Sequence, residues 1–279
     1  MPFLDLIDET LDINSTENYD LSVEISPDSL TFLVLDSIRN KYVLLRSYLP
    51  EPEKQFSAEE LAEKVVKDEF LTKKYRRKII ITPTWKFTLV PSPLFDPGKK
   101  DDYFLFNHSM NENQVVLVNR LRDPDSYLIY SQLRSLNEII ERYWPASEVF
   151  HHLKPHLMFA SGNSNDYNDH LFIHAEKEFF NITVFGNNNL ILCNSYTYRS
   201  AADILYYTLN VVRSLGLKQE TSVVLSGNVK KRDELHINLS EYLKNLRFAG
   251  PAANNTFSYV MNEIDLYRYV NLITAVNCA

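Results

Sequence analysis

At 279 residues, 45% hydrophobic and 13% aromatic, the chain is long enough for one large domain or two medium ones with real cores. A net charge of −7 argues against a nucleic-acid binder, whose surface needs a positive footprint. No apolar run approaches the roughly 20 residues of a membrane span. The segment Met1–Asp5 has neither a basic region nor an apolar signal core, and Cys193 and Cys278 make no disulfide framework, so a reducing, cytoplasmic setting is expected.

Residues 1–18 read as an acidic leader, with Asp5, Asp8, Glu9, Asp12 and Glu17 among scattered leucines and isoleucines. A loosely attached terminus is the expectation, and a partner-binding helix is the alternative. Residues 20–26 alternate apolar and polar, as a half-buried strand does. Ser26-Pro27-Asp28-Ser29 is turn chemistry, since proline presets φ and short polar side chains accept backbone hydrogen bonds. Residues 30–35 and 42–49 are the next strands, completing an antiparallel meander. Ser57 with Glu60 makes a capping box, and Leu61, Val65 and Phe70 give the following helix its inner face.

Lys73, Lys74, Arg76, Arg77 and Lys78 follow that helix, where cations complement its negative end; an anion-binding patch is the alternative. Residues 79–82 are a further strand. The stretch near 82–102, with Pro83, Pro91, Pro93 and Pro97, has no counterpart later and reads as an insertion. Residues 114–120 and 127–129 are strand-like, 132–143 helical, and 146–152 resume the helical course after Pro145. The polar stretch 162–169 reads as a linker, dividing a first unit, 19–162, from a second, 163–279.

The second unit rewrites the first. Leu171, Ile173 and Ala175 match Leu21, Val23 and Ile25; Phe180, Ile182 and Val184 match Leu30, Phe32 and Val34. Ser200 and Asp203 repeat the helix cap, Ile204, Leu205, Leu209 and Val212 the inner face, and 223–226 the strand at 79–82. Gly186-Asn187-Asn188-Asn189 suits a tight turn with positive φ. Residues 229–236 and 239–246 look helical, and 259–273 reads as a terminal helix.

A meander, helix and parallel strand duplicated in one chain resembles the actin-like ATPase fold, in which two ribonuclease H-like domains flank a nucleotide cleft. The chain also looks like a bacterial family of unknown function with this fold. The resemblance covers residue 19 onward apart from the insertion. It implies an α/β protein whose two domains each hold a three-stranded antiparallel meander, a helix and a parallel strand.

Active members of that superfamily hold phosphates in the two turns between first and second strands. Glycines there let backbone N–H groups approach the phosphate oxygens, and a strand aspartate holds the metal. The resemblance puts Glu24 at the first aspartate and Ser26 at the first glycine, while Pro27 removes a donor. In the second turn His174 replaces the aspartate and Glu176 the glycine. Glu176 and Glu178 would repel a triphosphate, with only Lys177 between them. Gly227 is what remains of a glycine pair that lets adenosine lie on the backbone.

The expectation is a non-catalytic scaffold or adaptor with a degenerate nucleotide cleft and no cofactor, binding a protein partner or a second copy of itself. The alternative is a divergent ATPase or kinase-like enzyme using Mg-ATP, with Ser26, Ser29, Lys177 and Gly227 lining one cleft. His151, His152 and His156 invite a metal reading, which Pro155 opposes by interrupting a shared helix face. His170 and His174 share a strand face about 13 Å apart, too far for one ion. Glu24, Asp28 and Glu176 would have to converge for a metal-dependent nuclease, and the acidic balance disfavours one. No phosphate-binding loop, dinucleotide fingerprint or nucleophile elbow is present. The 17 tyrosines, crowded in the second half, read mainly as core with some support for a partner surface.

Overall fold

The computed structural model describes residues 1–164, 168–250 and 256–278. The first half runs β1 (Leu4–Ile7), β2 (Tyr19–Ser26), β3 (Ser29–Asp36), β4 (Lys41–Tyr48), α1 (Ala58–Lys67), β5 (Arg77–Thr82), β6 (Phe87–Pro91), α2 (Lys100–Asn107), β7 (Gln114–Leu121), β8 (Ser126–Leu133), α3 (Arg134–Tyr143) and β9 (Glu148–His151). The second runs α4 (Leu153–Gly162), β10 (His170–Ala175), β11 (Phe179–Gly186), β12 (Asn189–Thr197), α5 (Ala201–Ser214), β13 (Ser222–Gly227), α6 (Glu234–Tyr242), β14 (Leu246–Phe248), β15 (Thr256–Phe257) and α7 (Val270–Ala275).

The duplication is visible in the sheets. One has the order β1-β4-β3-β2-β5-β9, the other β12-β11-β10-β13-β14. In each, a first strand pairs antiparallel with its hairpin partner and parallel with the strand after the helix. Both helices start as their sequences dictate. The Ser57 side chain accepts from Glu60 N, and the Glu60 carboxylate accepts from Ser57 N. The Asp203 carboxylate accepts from the backbone of Arg199 and Ser200.

Each sheet has two apolar faces to cover. On the first, Leu21, Val23, Phe32 and Val34 pack with Leu61 and Val65 of α1 and Ile140 of α3. The opposite face, with Leu33, Leu45, Ile79 and Ile81, is covered by Leu272, Ile273 and Ala275 of α7, from the far end of the chain. The Tyr42 hydroxyl donates to Ile273 O at 2.7 Å. The second sheet mirrors this. Tyr207 of α5 meets Phe180 on one face, and Phe159 of α4 meets Phe172 on the other. Packing thus exchanges helices across the sequence boundary expected at 162: α4 precedes it and covers the second sheet, while α7 follows it and covers the first. Residues 165–167 of the expected linker lie outside the described residues.

Several expectations are corrected. The acidic leader is not loosely attached over its whole length. Leu4–Ile7 occupies the edge of β4 in the register Leu4↔Ser47, and Asp8 is buried against Lys41 at 2.6 Å. Alternating LDLI satisfies an otherwise open strand edge. The stretch near 82–102 holds β6 and the start of α2. β6, β8 and β7 form a separate three-stranded sheet with α2 beside it, around Val90, Phe104, Val116 and Ile129. Residues 148–151 are a strand paired with β5, not a helix. The Asn119 carboxamide covers its outer edge, donating to Val149 O at 2.9 Å and accepting from His151 N at 2.7 Å. The helices expected at 229–236 and 239–246 are one helix capped by Asp233, followed by β14. The terminal helix at 259–273 is two 3-10 turns and a short α7. In the basic run, Arg76 pairs with Asp20 and Arg77 with Glu148, so those two charges are neutralised locally.

One buried polar network ties the leader, the meander and the end of α1 together. Arg46, 7% exposed, donates to Asp5 at 2.8 Å and to Asp68 at 2.9 Å. Asp68 also accepts from the Tyr48 hydroxyl at 2.6 Å and from Phe70 N at 2.8 Å. Replacing Asp68 with alanine removes one of the two carboxylates that hold the buried Arg46 and strands the Tyr48 hydroxyl. Urea unfolding should show a loss of about 3–5 kcal/mol; a loss below about 1 kcal/mol would mean the network is solvated and dispensable.

Candidate functional site

The two turns that matter face each other at the junction of the halves. In the first, Ser26 pairs with Ser29 across a two-residue hairpin, and the polar groups satisfy one another. The Ser26 hydroxyl donates to Asp28 at 2.6 Å and lies 2.9 Å from that of Ser29, while Pro27 O accepts from Phe56 N at 2.7 Å. In the second, Glu176 N donates to Phe179 O at 2.8 Å, and the Tyr198 hydroxyl donates to Glu176 O at 2.6 Å. Lys177 reaches across to Asp28 at 3.9 Å, and Gln55 donates to Glu178 at 3.3 Å.

Glu24 and Glu176 come into electrostatic contact here. Burial raises the pKa of Glu24 well above the usual carboxyl range, and the charges of Glu176 and Asp28 raise it further. Burial, with Asp28, pushes Glu176 up to about 8. His174 lies beside them, 2% exposed. Its Nδ1 is 2.8 Å from the Ser226 hydroxyl, and its Nε2 is 3.0 Å from Asn271 Nδ2 and 3.1 Å from Glu176. Because Asn271 donates, Nε2 accepts and Nδ1 carries the proton. Asn271 thus takes the single Nε2 lone pair, and the Glu176 carboxyl lies beside it at 3.1 Å.

Three more histidines pack behind His174. The rings of His151 and His152 lie 4.4 Å apart, those of His152 and His174 6.1 Å, and those of His156 and His174 5.3 Å. Pro155 does not separate them, contrary to the sequence argument. It lies in the first turn of α4, where no intrahelical N–H is required. The His152 Nε2 approaches Asn181 Oδ1 at 2.7 Å and the His151 Nε2 approaches Thr84 O at 3.0 Å, while both ring nitrogens of His156 lack a partner. Burial lowers all four pKa values, to about 3 at His151 and about 4 at His174. Among the described residues no group of three His, Cys, Asp or Glu side chains is disposed to hold a metal ion. Sequence spacing did not reveal Asn181, Ser226 or Asn271 as partners, because each comes from a different element.

Gly227 has a structural reason of its own. Its φ is +83°, and a Cβ there would sit 2.2 Å from Ala175 O. The adjoining Asn228 N donates to that same oxygen at 2.6 Å. The glycine lets β13 end tightly against β10. A cavity of about 550 Å³ opens instead between the two turns, the start of α1, the connection 82–86 and the start of α3. Ser26, Asp28, Glu176 and Lys177 line it; Ser29, Glu24, His174 and Gly227 do not.

Paired sheets, exchanged helices and facing turns define an actin-like ATPase fold. A Bacteroides thetaiotaomicron structure, described as having an actin-like ATPase fold and unknown function, matches with a TM-score of 0.76. The two share 21% identity over 94% of this chain and 98% of that one. A chain of the PilM–PilN type IV pilus biogenesis complex matches at 0.58 and 14% identity, over 93% and 98%. The ethanolamine utilization protein EutJ from Carboxydothermus hydrogenoformans matches at 0.50 and 8% identity, over 96% and 92%. The chain belongs to the family described as protein of unknown function DUF3822, which matches residues 8–246. A comparison with curated proteins finds no match.

Two measurements test this geometry. Gly227→Ala should lower unfolding free energy by about 2 kcal/mol or more through strain at positive φ and the clash with Ala175. A neutral result would mean that β13 has room to shift. The second is pH dependence. Glu176 has a raised folded pKa, so its contribution is fully present below the ordinary 4.5 and is lost as pH rises through about 8. The histidines run the other way: the contribution of His174 is present above the ordinary 6.5 and is lost as pH falls through about 4. Glu176→Gln should therefore be more stable than the parent at pH 8, with the gap closing by pH 5. A gap independent of pH would remove the buried carboxyl from the account.

Proposed function

We propose that this chain is a non-catalytic, actin-like scaffold that binds a protein partner and has given up nucleotide chemistry. The observation that carries the reading is the internal pairing of the two turns. The Ser26 hydroxyl and the Glu176 N–H, groups that a phosphate cradle would present, are already bonded within their own hairpins. Pro27 has no N–H to offer. The carboxylates of Asp28 and Glu178 border the same cavity and disfavour a polyanion. Gly227, which alone matched an adenosine platform, is accounted for by its packing against Ala175.

A partner role is also in keeping with the similarity to a chain of the PilM–PilN complex. At 14% identity that likeness carries the fold alone, so the partner of this chain is a separate matter. The reading includes a reducing, cytoplasmic setting, in keeping with free Cys193 and Cys278. Among the described residues no helix is long and apolar enough to cross a membrane.

Calorimetric titration with Mg-ATP, ADP and GTP should give no binding heat, and phosphate release should stay at background. Micromolar binding that weakens in Glu24→Ala, or turnover lost in Lys177→Ala, would replace the scaffold with a divergent nucleotide enzyme.

A further inference from the structure

Gln132, near the end of β8, is 2% exposed and lines the cavity between the two turns. Neither its amide nitrogen nor its amide oxygen has a hydrogen-bond partner. Leaving a buried donor or acceptor unpaired forfeits its hydration with nothing in return. A carboxamide presents donor and acceptor side by side, and the group that answers both is another amide, such as a peptide bond. The walls around it are mainly apolar: Phe56, Leu61, Leu136 and Ile139 come from α1, α3 and the loop before α1. Trp85, 43% exposed, also lines the cavity. A volume of about 550 Å³ admits a short stretch of extended chain.

Charge narrows the occupant. Asp28, Glu176 and Glu178 gather at the turn end, where the cation is Lys177, 3.9 Å from Asp28. Lys86 sits apart, over the Trp85 ring at 5.3 Å. A basic side chain arriving between the turns would be attracted by the carboxylates of Asp28 and Glu178 and could use the Glu176 carboxyl as a hydrogen-bond acceptor; an anionic ligand would be repelled.

We propose that this cavity binds an extended segment of a partner protein in which a lysine or arginine adjoins a large apolar residue, with Gln132 pairing to the segment's backbone amide. The proposal rests on the scaffold reading and names its binding site. The basic side chain lies between the two turns, and the apolar one packs among Phe56, Leu136 and Trp85.

Selection of a phage-displayed random-peptide library on the immobilised full chain should enrich basic-apolar sequences. A fluorescein-labelled synthetic peptide of the enriched sequence should bind less tightly as salt rises. Its affinity should fall roughly tenfold in Trp85→Ala and in Gln132→Leu. Trp85→Ala removes a partly exposed side chain, and Gln132→Leu removes unpaired polar atoms, so both variants should retain the parent's circular dichroism.

No enrichment, an acidic consensus, or affinity unchanged in both variants would overturn the proposal. So would a small molecule retained in native mass spectrometry and lost in Gln132→Leu, or a self-dimer dissolved by Trp85→Ala. The nucleotide titrations separate the two ideas. Silent titrations with no peptide binding remove only this groove, whereas nucleotide turnover removes the scaffold reading whatever the peptides do.

Discussion

The structure depends on two helices that cross between the halves. Each meander sheet is apolar on both faces, yet the helices that follow its own strands cover only one. α4 closes the second sheet and α7 the first. This exchange is the reason neither half is complete alone, and it brings the inner faces of β2 and β10 to a common junction. Burial there is expensive for polar groups, and the junction is polar: Ser22 and Glu24 on β2, His174 on β10, Asn181 on β11, Ser226 on β13 and Asn271 on α7. His174 joins Ser226 to Asn271 by hydrogen bonds, and Asn181 meets His152, while the Ser22 hydroxyl has no partner.

At the edge of that junction the two turns bond internally: the Ser26 hydroxyl donates to Asp28, and Glu176 N donates to Phe179 O. The histidines stay neutral because burial disfavours their charge, and burial with the nearby Asp28 charge favours the protonated carboxyl of Glu176. The result is a buried polar seam in which the Ser22 hydroxyl, Asn271 Oδ1 and the His156 ring stay unpaired. The carboxamide of Gln132, likewise unpaired, lies outside it in the wall of the cavity.

The fold was legible where local rules act alone. Strand alternation located β2, β3, β4 and their copies, and the Ser57 and Ser200 caps located α1 and α5, because these depend on neighbours within a few residues. The three-stranded sheet is not legible locally because β6 pairs with β8, which lies well beyond it along the chain. β9 was read as helix because its four residues carry no alternation of their own; β5 and Asn119 hold them extended. His156 was set aside because Pro155 looked like a breaker, and only the start of α4 shows that the proline sits where a helix tolerates one.

By itself the sequence determined the duplicated meander–helix–strand order, the acid-rich, glycine-poor turns and the family likeness, since all three are written in contiguous residues. Tertiary structure alone decided that Gly227 serves packing against Ala175, that four histidines share one buried seam, and that α4 and α7 trade places. Each of these is a contact between segments distant along the chain, and no local pattern encodes which distant strand will arrive beside it.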